Sequence, residues 1–201
     1  ADSEFILNDD GKYLCGYEVE KMSKSKYNVQ TPDNLVEDFG ADTLRLYEMF
    51  LGPLEQFKPW DVKGINGVHN FLRKFWRLVH DRENNFLVSD EKPTKENYKT
   101  LYKTIKKVEE EIERYSFNTV VSTFMICVNE LTEQKCNSRE VISDFTVLLS
   151  SYAPHITEEI WQELGNDTSI SIASFPKYNE SYLAEDEINY PVSFNGKMRF
   201  T

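Results

Sequence analysis

Asp61-Val62-Lys63-Gly64-Ile65-Asn66-Gly67-Val68-His69-Asn70-Phe71-Leu72-Arg73-Lys74-Phe75-Trp76-Arg77-Leu78-Val79 decides the fold class. Its apolar residues Val62, Ile65, Val68, Leu72, Phe75, Trp76 and Val79 recur three and four apart, which traces one face of a helix. The spacing predicts a helix over 61–84, weakened in its first turns by Gly64 and Gly67. The same rhythm returns downstream. Leu101, Ile105, Val108 and Ile112 mark a second long helix, and Phe117, Val120, Val121, Phe124, Val128 and Leu131 a third. Asn137 followed by Glu140 reads as a capping box. It opens a fourth helix through Val141, Phe145, Leu148 and Leu149, which Pro154 breaks, and a fifth over 156–164 closes at Gly165. Helices with one apolar stripe each and short connections bury those stripes against one another. The expected fold is therefore mainly α, an antiparallel helical bundle with short β-hairpins at both ends.

The first hairpin is read from Phe5-Ile6-Leu7 and Tyr13-Leu14-Cys15 around the turn residues Asn8-Asp9-Asp10-Gly11. A basic run, Lys21-Met22-Ser23-Lys24-Ser25-Lys26, has little that it can bury and reads as an exposed loop. Thr31, Pro32 and Asp33 then start a short helix that stops at Gly40. Another begins near Asp42, carries Leu44, Tyr47 and Leu51 on one stripe, and ends at Gly52-Pro53. In the tail, the alternation over 169–173 predicts a short strand, and 180–187 is an acidic linker. Asn195-Gly196 between Tyr190-Pro191-Val192-Ser193-Phe194 and Lys197-Met198-Arg199-Phe200 predicts the second hairpin. A lone hairpin is marginal in water, so a further domain is expected after it.

The chain has 201 residues, 34 acids against 23 Lys and Arg, and a formal net charge of −11. Hydrophobic residues make up 40% and charged residues 28%, a globular rather than disordered balance. No apolar run reaches the roughly 20 residues that span a bilayer, and the first residues lack the features of a signal peptide. No partnership with membrane or DNA is expected. Cys15, Cys127 and Cys136 form no pattern, which points away from a disulfide scaffold and toward a reducing compartment, the cytoplasm. Bulk acidity disfavours nucleic-acid binding except through local basic patches.

The sharpest chemical feature is Lys21-Met22-Ser23-Lys24-Ser25. Two lysines three apart, each beside a small hydroxyl, suit a polyphosphate: ammonium groups stabilise charge that grows on a departing pyrophosphate. On spacing alone, the commoner reading of such a run is a solvated lysine loop. The five letters, however, match the second signature of class I aminoacyl-tRNA synthetases. Asn28-Val29, Pro32-Asp33, Gly40-Ala41-Asp42-Thr43-Leu44-Arg45-Leu46-Tyr47-Glu48-Met49-Phe50 and Gly52-Pro53-Leu54-Glu55-Gln56 follow. With Lys58-Pro59-Trp60, Phe71 through Leu78, Ala153-Pro154-His155-Ile156 and Asn195-Gly196-Lys197, most of the chain resembles the leucyl-tRNA synthetase family. Valyl and isoleucyl relatives share the Gly-x-Asp-x-Leu-Arg core but not the Glu48–Glu55 continuation. One departure is Tyr27, where many members carry Gly, and it bears on the hinge freedom of the loop.

The resemblance implies a carboxy-terminal portion of an enzyme that activates leucine with ATP and Mg2+ and passes it to tRNA(Leu). Lys21 and Lys24 would be catalytic, and Lys21, Met22, Ser23, Lys24 and Ser25 would hold ATP and pyrophosphate. The family's nucleotide-binding sheet, its His-x-Gly-His signature and its editing domain have no counterpart in these residues. The portion is accordingly expected to be inactive alone and to hold no cofactor. The expected organisation is a hairpin, signature loop and supporting helices over 1–52. An anticodon-binding-like tRNA-binding bundle follows over 53–166, a strand and acidic linker over 167–187, and the start of a β-containing domain over 188–201.

A second candidate is the basic set Arg73, Lys74 and Arg77, with Arg82 nearby. The stretch 61–82 holds five bases and two acids within an acidic chain, and Arg73 and Arg77 share a helix face. A solvated helix back accounts for this equally from composition; the resemblance favours contact with a tRNA backbone. Lys103 to Arg114 mixes bases and acids and reads as intrahelical pairing. His69, His80 and His155 are scattered and form no zinc motif, so no metal site is expected. Phe71, Phe75 and Trp76 read as core, and Trp60 and Trp161 as packing anchors. Two rivals stand beside the main reading. One is another aliphatic class I synthetase, valyl or isoleucyl, and the other is a non-catalytic helical RNA-binding or interaction module.

Overall fold

The computed structural model describes residues 9–11, 19–183, 192–194 and 197–200. Seven α-helices lie among them: α1 Pro32–Phe39, α2 Ala41–Phe50, α3 Ile65–Val79, α4 Lys95–Glu113, α5 Phe117–Glu133, α6 Arg139–Leu149 and α7 Pro154–Glu163. The apolar stripes explain how they pack. Ile65, Val68, Leu72, Phe75 and Val79 of α3 are buried, as are Leu101, Ile105 and Val108 of α4 and Val120, Val121, Phe124, Val128 and Leu131 of α5. They meet Val141, Phe145, Leu148 and Leu149 of α6 in one continuous core. At its centre Phe145 takes Phe75 edge-on at 5.1 Å and Phe124 at 5.9 Å, the geometry that aromatic quadrupoles favour. Leu35, Leu44, Leu46 and Tyr47 belong to the same core, so α1 and α2 are fastened to the bundle rather than tethered beside it.

Several local expectations need correction. Helix α3 stops at Val79, not near residue 84. The Asp81 carboxylate accepts the N–H groups of Glu83 (2.8 Å) and Asn85 (2.9 Å), an Asx-type turn that competes with the helix. Asn84 sits at φ 61°, and the chain doubles back so that Leu87 N–H donates to the Val79 carbonyl at 2.8 Å. Ile112 is 38% exposed, at the end of its stripe rather than in the core. Asn137 and Glu140 form no capping box. Asn137 donates to the Leu87 carbonyl (2.9 Å), Glu140 accepts from the Tyr98 hydroxyl (2.8 Å), and α6 begins after Ser138. The true capping box is at α4. There Thr94 accepts the Asn97 N–H (3.1 Å) and Asn97 accepts the Thr94 N–H (2.9 Å).

The expected strand over 169–173 is instead a 3₁₀ turn at Ile170–Ile172. The Glu158 carboxylate accepts the Ile170 N–H (3.2 Å) and the Ser169 hydroxyl (2.9 Å), taking donors that a ladder would need. Ile170 is buried and Ile172 is 73% exposed. Within the acidic linker, Tyr182 packs on Tyr98 and Tyr102 of α4, with ring centroids at 4.9 and 5.5 Å. Strands β1 Val192–Phe194 and β2 Lys197–Phe200 pair antiparallel, with Phe194 opposite Lys197. The turn between them, and the strands expected around 5–7 and 13–15, lie outside the described residues. Among the described residues no helix is long and apolar enough to cross a membrane.

Candidate functional site

The lysine loop stands at the edge of the bundle, ahead of α1. Ser23 begins a single 3₁₀ turn, Lys24–Lys26, closed by Tyr27. Asn28 clips the loop across its base: its Oδ1 accepts the Ser23 N–H at 2.9 Å and its Nδ2 donates to the Lys21 carbonyl at 3.4 Å. The Ser23 and Ser25 hydroxyls are 3.2 Å apart. Lys26 is committed to Glu20 at 2.6 Å. Lys21 and Lys24 are exposed, and neither ammonium has a partner among the described residues. Two free ammonium groups and two adjacent hydroxyls form a donor set for a polyanion. Tyr27 adopts φ 53°, a left-handed conformation unfavourable for a residue with a Cβ. The departure seen in the sequence thus falls where glycine would relieve strain.

The segment that joins the loop to α1 is tied to α2 through Trp60. Trp60 donates its indole N–H to Gln30 and packs edge-on against Tyr47 at 5.4 Å. Tyr47 donates to the Asp61 carbonyl, and a Cβ at Gly64 would lie 2.9 Å from the Tyr47 hydroxyl oxygen. Asp42, only 7% exposed, reaches across to α7. Its carboxylate accepts the backbone N–H groups of His155 (3.2 Å) and Ile156 (2.8 Å) and pairs with the His155 ring at 2.8 Å. This acid caps a helix 113 residues away, a role no local pattern could reveal.

Helix α3 carries Arg73, Lys74 and Arg77 and no acid. The three differ in setting. Arg73 and Arg77 are exposed one turn apart, whereas Lys74 is half-buried and donates to Asn129 of α5 at 2.6 Å. Arg82 lies beyond the helix, in the turn set by Asp81. Arg73 borders a concave surface of about 640 Å³ that includes Phe39, His69, Trp76 and Glu159. Trp76 is half-buried at its wall, and Phe71 and Phe75 are core.

The histidines have structural partners. His69 faces the Thr43 hydroxyl at 3.3 Å; buried His80 stacks on Trp76 at 3.8 Å and lies 2.8 Å from Glu163. No cluster of three His, Cys, Asp or Glu side chains suited to a metal occurs among the described residues. Cys127 and Cys136 are buried free thiols, and burial pushes Cys127 up to about 12.

Residues 95–201 match the family described as "Anticodon-binding domain of tRNA ligase". The chain belongs to this family. The chain is 64% identical over 201 residues to the leucine–tRNA ligase of Christiangramia forsetii, covering all of this chain and 21% of that protein. It is 58% identical over 200 residues to the leucine–tRNA ligase of Bacteroides thetaiotaomicron, again 21% of the relative. The chain therefore spans about a fifth of the length of the curated relatives it matches. Among solved structures, it resembles a LeuRS of Agrobacterium radiobacter crystallised in a ternary complex with tRNA and LeuAMS. The TM-score is 0.69 at 27% identity, over 90% of this chain and 25% of that one.

Proposed function

We propose that these residues are part of a cytoplasmic leucine–tRNA ligase, in which the loop at 21–25 serves leucine activation by ATP and the bundle over 53–166 holds tRNA(Leu). The observation that carries this reading is identity of 56–64% to leucine–tRNA ligases along nearly the whole chain. The Glu48–Glu55 run supports leucine over valine or isoleucine. Lys21 and Lys24, exposed and without a partner among the described residues, meet the triphosphate, and the Ser23 and Ser25 hydroxyls add short donors. As pyrophosphate departs, negative charge grows on the bridging oxygen and leaving group. The ammonium groups therefore act more on the transition state than on bound ATP. The loop offers cations and hydroxyls, and the adjoining acid Glu20 is spent on Lys26. It fits the phosphates themselves, and magnesium would travel with them. Arg73 and Arg77 contact the tRNA backbone, positioning it without reading its sequence.

The test is amino-acid-dependent ATP–pyrophosphate exchange and tRNA charging by the complete gene product. Leucine should drive both. Exchange driven by isoleucine or valine instead, or exchange absent with every aliphatic amino acid, would overturn the reading in favour of a relative or of a non-catalytic RNA-binding module.

A further inference from the structure

The lysine loop is shaped without help from the core. None of residues 21–27 is buried, so its form rests on hydrogen bonds. Two of these are local. Lys26 N–H donates to the Ser23 carbonyl at 3.1 Å and Tyr27 N–H to the Lys24 carbonyl at 3.3 Å, which closes the 3₁₀ turn and nothing more. Among the described residues, two ties reach from the entering arm of the loop to the leaving arm. One is the Glu20–Lys26 ion pair, whose side chains are both half exposed. Water screens such pairs, and they fix geometry weakly. The other is the Asn28 amide, which accepts the Ser23 N–H at 2.9 Å and donates to the Lys21 carbonyl at 3.4 Å.

Asn28 suits this task by its chemistry. A primary amide carries an acceptor and two donors on one short side chain, so it meets an N–H and a carbonyl of the opposite arm together. Aspartate would keep only the acceptor and would set a negative charge beside two lysines. The amide grips the backbone of Lys21 itself and of Ser23, the neighbour of Lys24. It is also well founded. Two residues further on, Gln30 accepts the indole N–H of Trp60, and Trp60 packs edge-on against buried Tyr47 at 5.4 Å. Asn28 thus links the lysine-bearing arm to a stretch anchored on the bundle.

We propose that Asn28 is a positioning residue for leucine activation: it touches no substrate, and it holds the backbone that carries Lys21 and Lys24 in place before the triphosphate arrives. The inference rests on the activation reading above. An ammonium on an untied loop must be ordered in each turnover, and that lost chain freedom is subtracted from its hold on the departing pyrophosphate. With the tie made, the ordering is done when the protein folds. The effect of Asn28 on rate therefore passes through the lysines and shrinks when one of them is removed.

The experiment is a double-mutant cycle in the complete gene product, read by leucine-dependent ATP–pyrophosphate exchange. Asn28→Ala should slow activation about tenfold, the worth of one hydrogen bond. Leucine affinity and melting temperature should stay at wild-type values, since the loop lies outside the core. In the Lys24→Ala background the same change should cost about threefold or less, because one of the two cations it positions is gone. An equal loss in both backgrounds would show that Asn28 acts independently of Lys24 and would overturn the proposal. A wild-type rate in Asn28→Ala would overturn it too, as would a melting temperature lowered by several degrees, which would make Asn28 a support of the fold. None of these results touches the activation reading, which is tested by Lys24→Ala alone; a wild-type rate there removes both.

Discussion

Replacing Asp42 by alanine should destabilise the bundle by about 3 kcal/mol. The carboxylate is almost fully buried and accepts the first free N–H groups of α7, those of His155 and Ile156. Each is a charge-assisted bond whose loss costs about 1.5 kcal/mol once its donor is left in a part-buried junction. The ring of His155 adds little, because it is 74% exposed and water screens the pair. Loss of an exposed cap would cost only about 1 kcal/mol, so burial and the doubled bond account for the difference. In a chain of this size each kcal/mol moves the melting temperature by about 2–4 °C, giving a fall of about 6–12 °C. Asp42→Asn keeps one acceptor and should lose about half as much; His155→Ala should lose less than about 0.5 kcal/mol. Thermal and urea unfolding measure the totals, and hydrogen exchange at Ile156 locates the loss. An Asp42→Ala protein within about 0.5 kcal/mol of wild type would show that α7 does not depend on this clamp.

Three further outcomes follow from other parts of the molecule. Gly64→Ala should destabilise by about 1–3 kcal/mol because its methyl would press on buried Tyr47, whereas Gly67→Ala, with nothing within 4 Å, should stabilise by up to about 1 kcal/mol; urea unfolding of both decides. Burial, helped by the charge of Glu140, raises Asp144 from 3.8 to about 6, so the folded state keeps a proton the unfolded chain has lost. Its stabilising contribution is present below pH 3.8 and lost as pH rises through about 6. Because Asp144 is partly exposed, Asp144→Asn should gain only about 1 kcal/mol at pH 7 and flatten the stability profile below it, which denaturation across that range would show. If the proposed function holds, Arg73→Glu with Arg77→Glu in the complete gene product should weaken matching and non-matching tRNA alike and make the salt dependence of binding shallower, while leucine activation stays intact.

The helices were legible because their cores follow a single repeat: Phe75, Phe124 and Phe145 sit where the stripes put them. What could not be read were partners distant in sequence. Asp42 is an acid in the first turn of a helix until α7 is seen above it, and Asn137 satisfies every local criterion for a cap while its side chain is drawn to Leu87. The end of α3 was missed for a related reason. Asp81 and Asn85 outcompete a helix that Arg82 and Glu83 would tolerate. At the candidate site, the loop's exposure followed from its composition, but the sorting of its lysines did not: among the described residues Glu20 reaches Lys26 and leaves Lys21 and Lys24 without a partner. Lys74 was grouped with Arg73 and Arg77 by spacing, and only its bond to Asn129 separates it.

Leucine-dependent ATP–pyrophosphate exchange by the complete gene product carrying Lys24→Ala tests the central claim most directly. If the exposed ammonium acts on charge that develops as pyrophosphate leaves, the activation rate should fall about a hundredfold, roughly 3 kcal/mol, with leucine affinity nearly unchanged. Lys24→Arg should recover only part, because a planar fork replaces a compact charge. Exchange at the wild-type rate in Lys24→Ala would contradict the account, leaving the loop a solvated turn at the edge of a helical bundle.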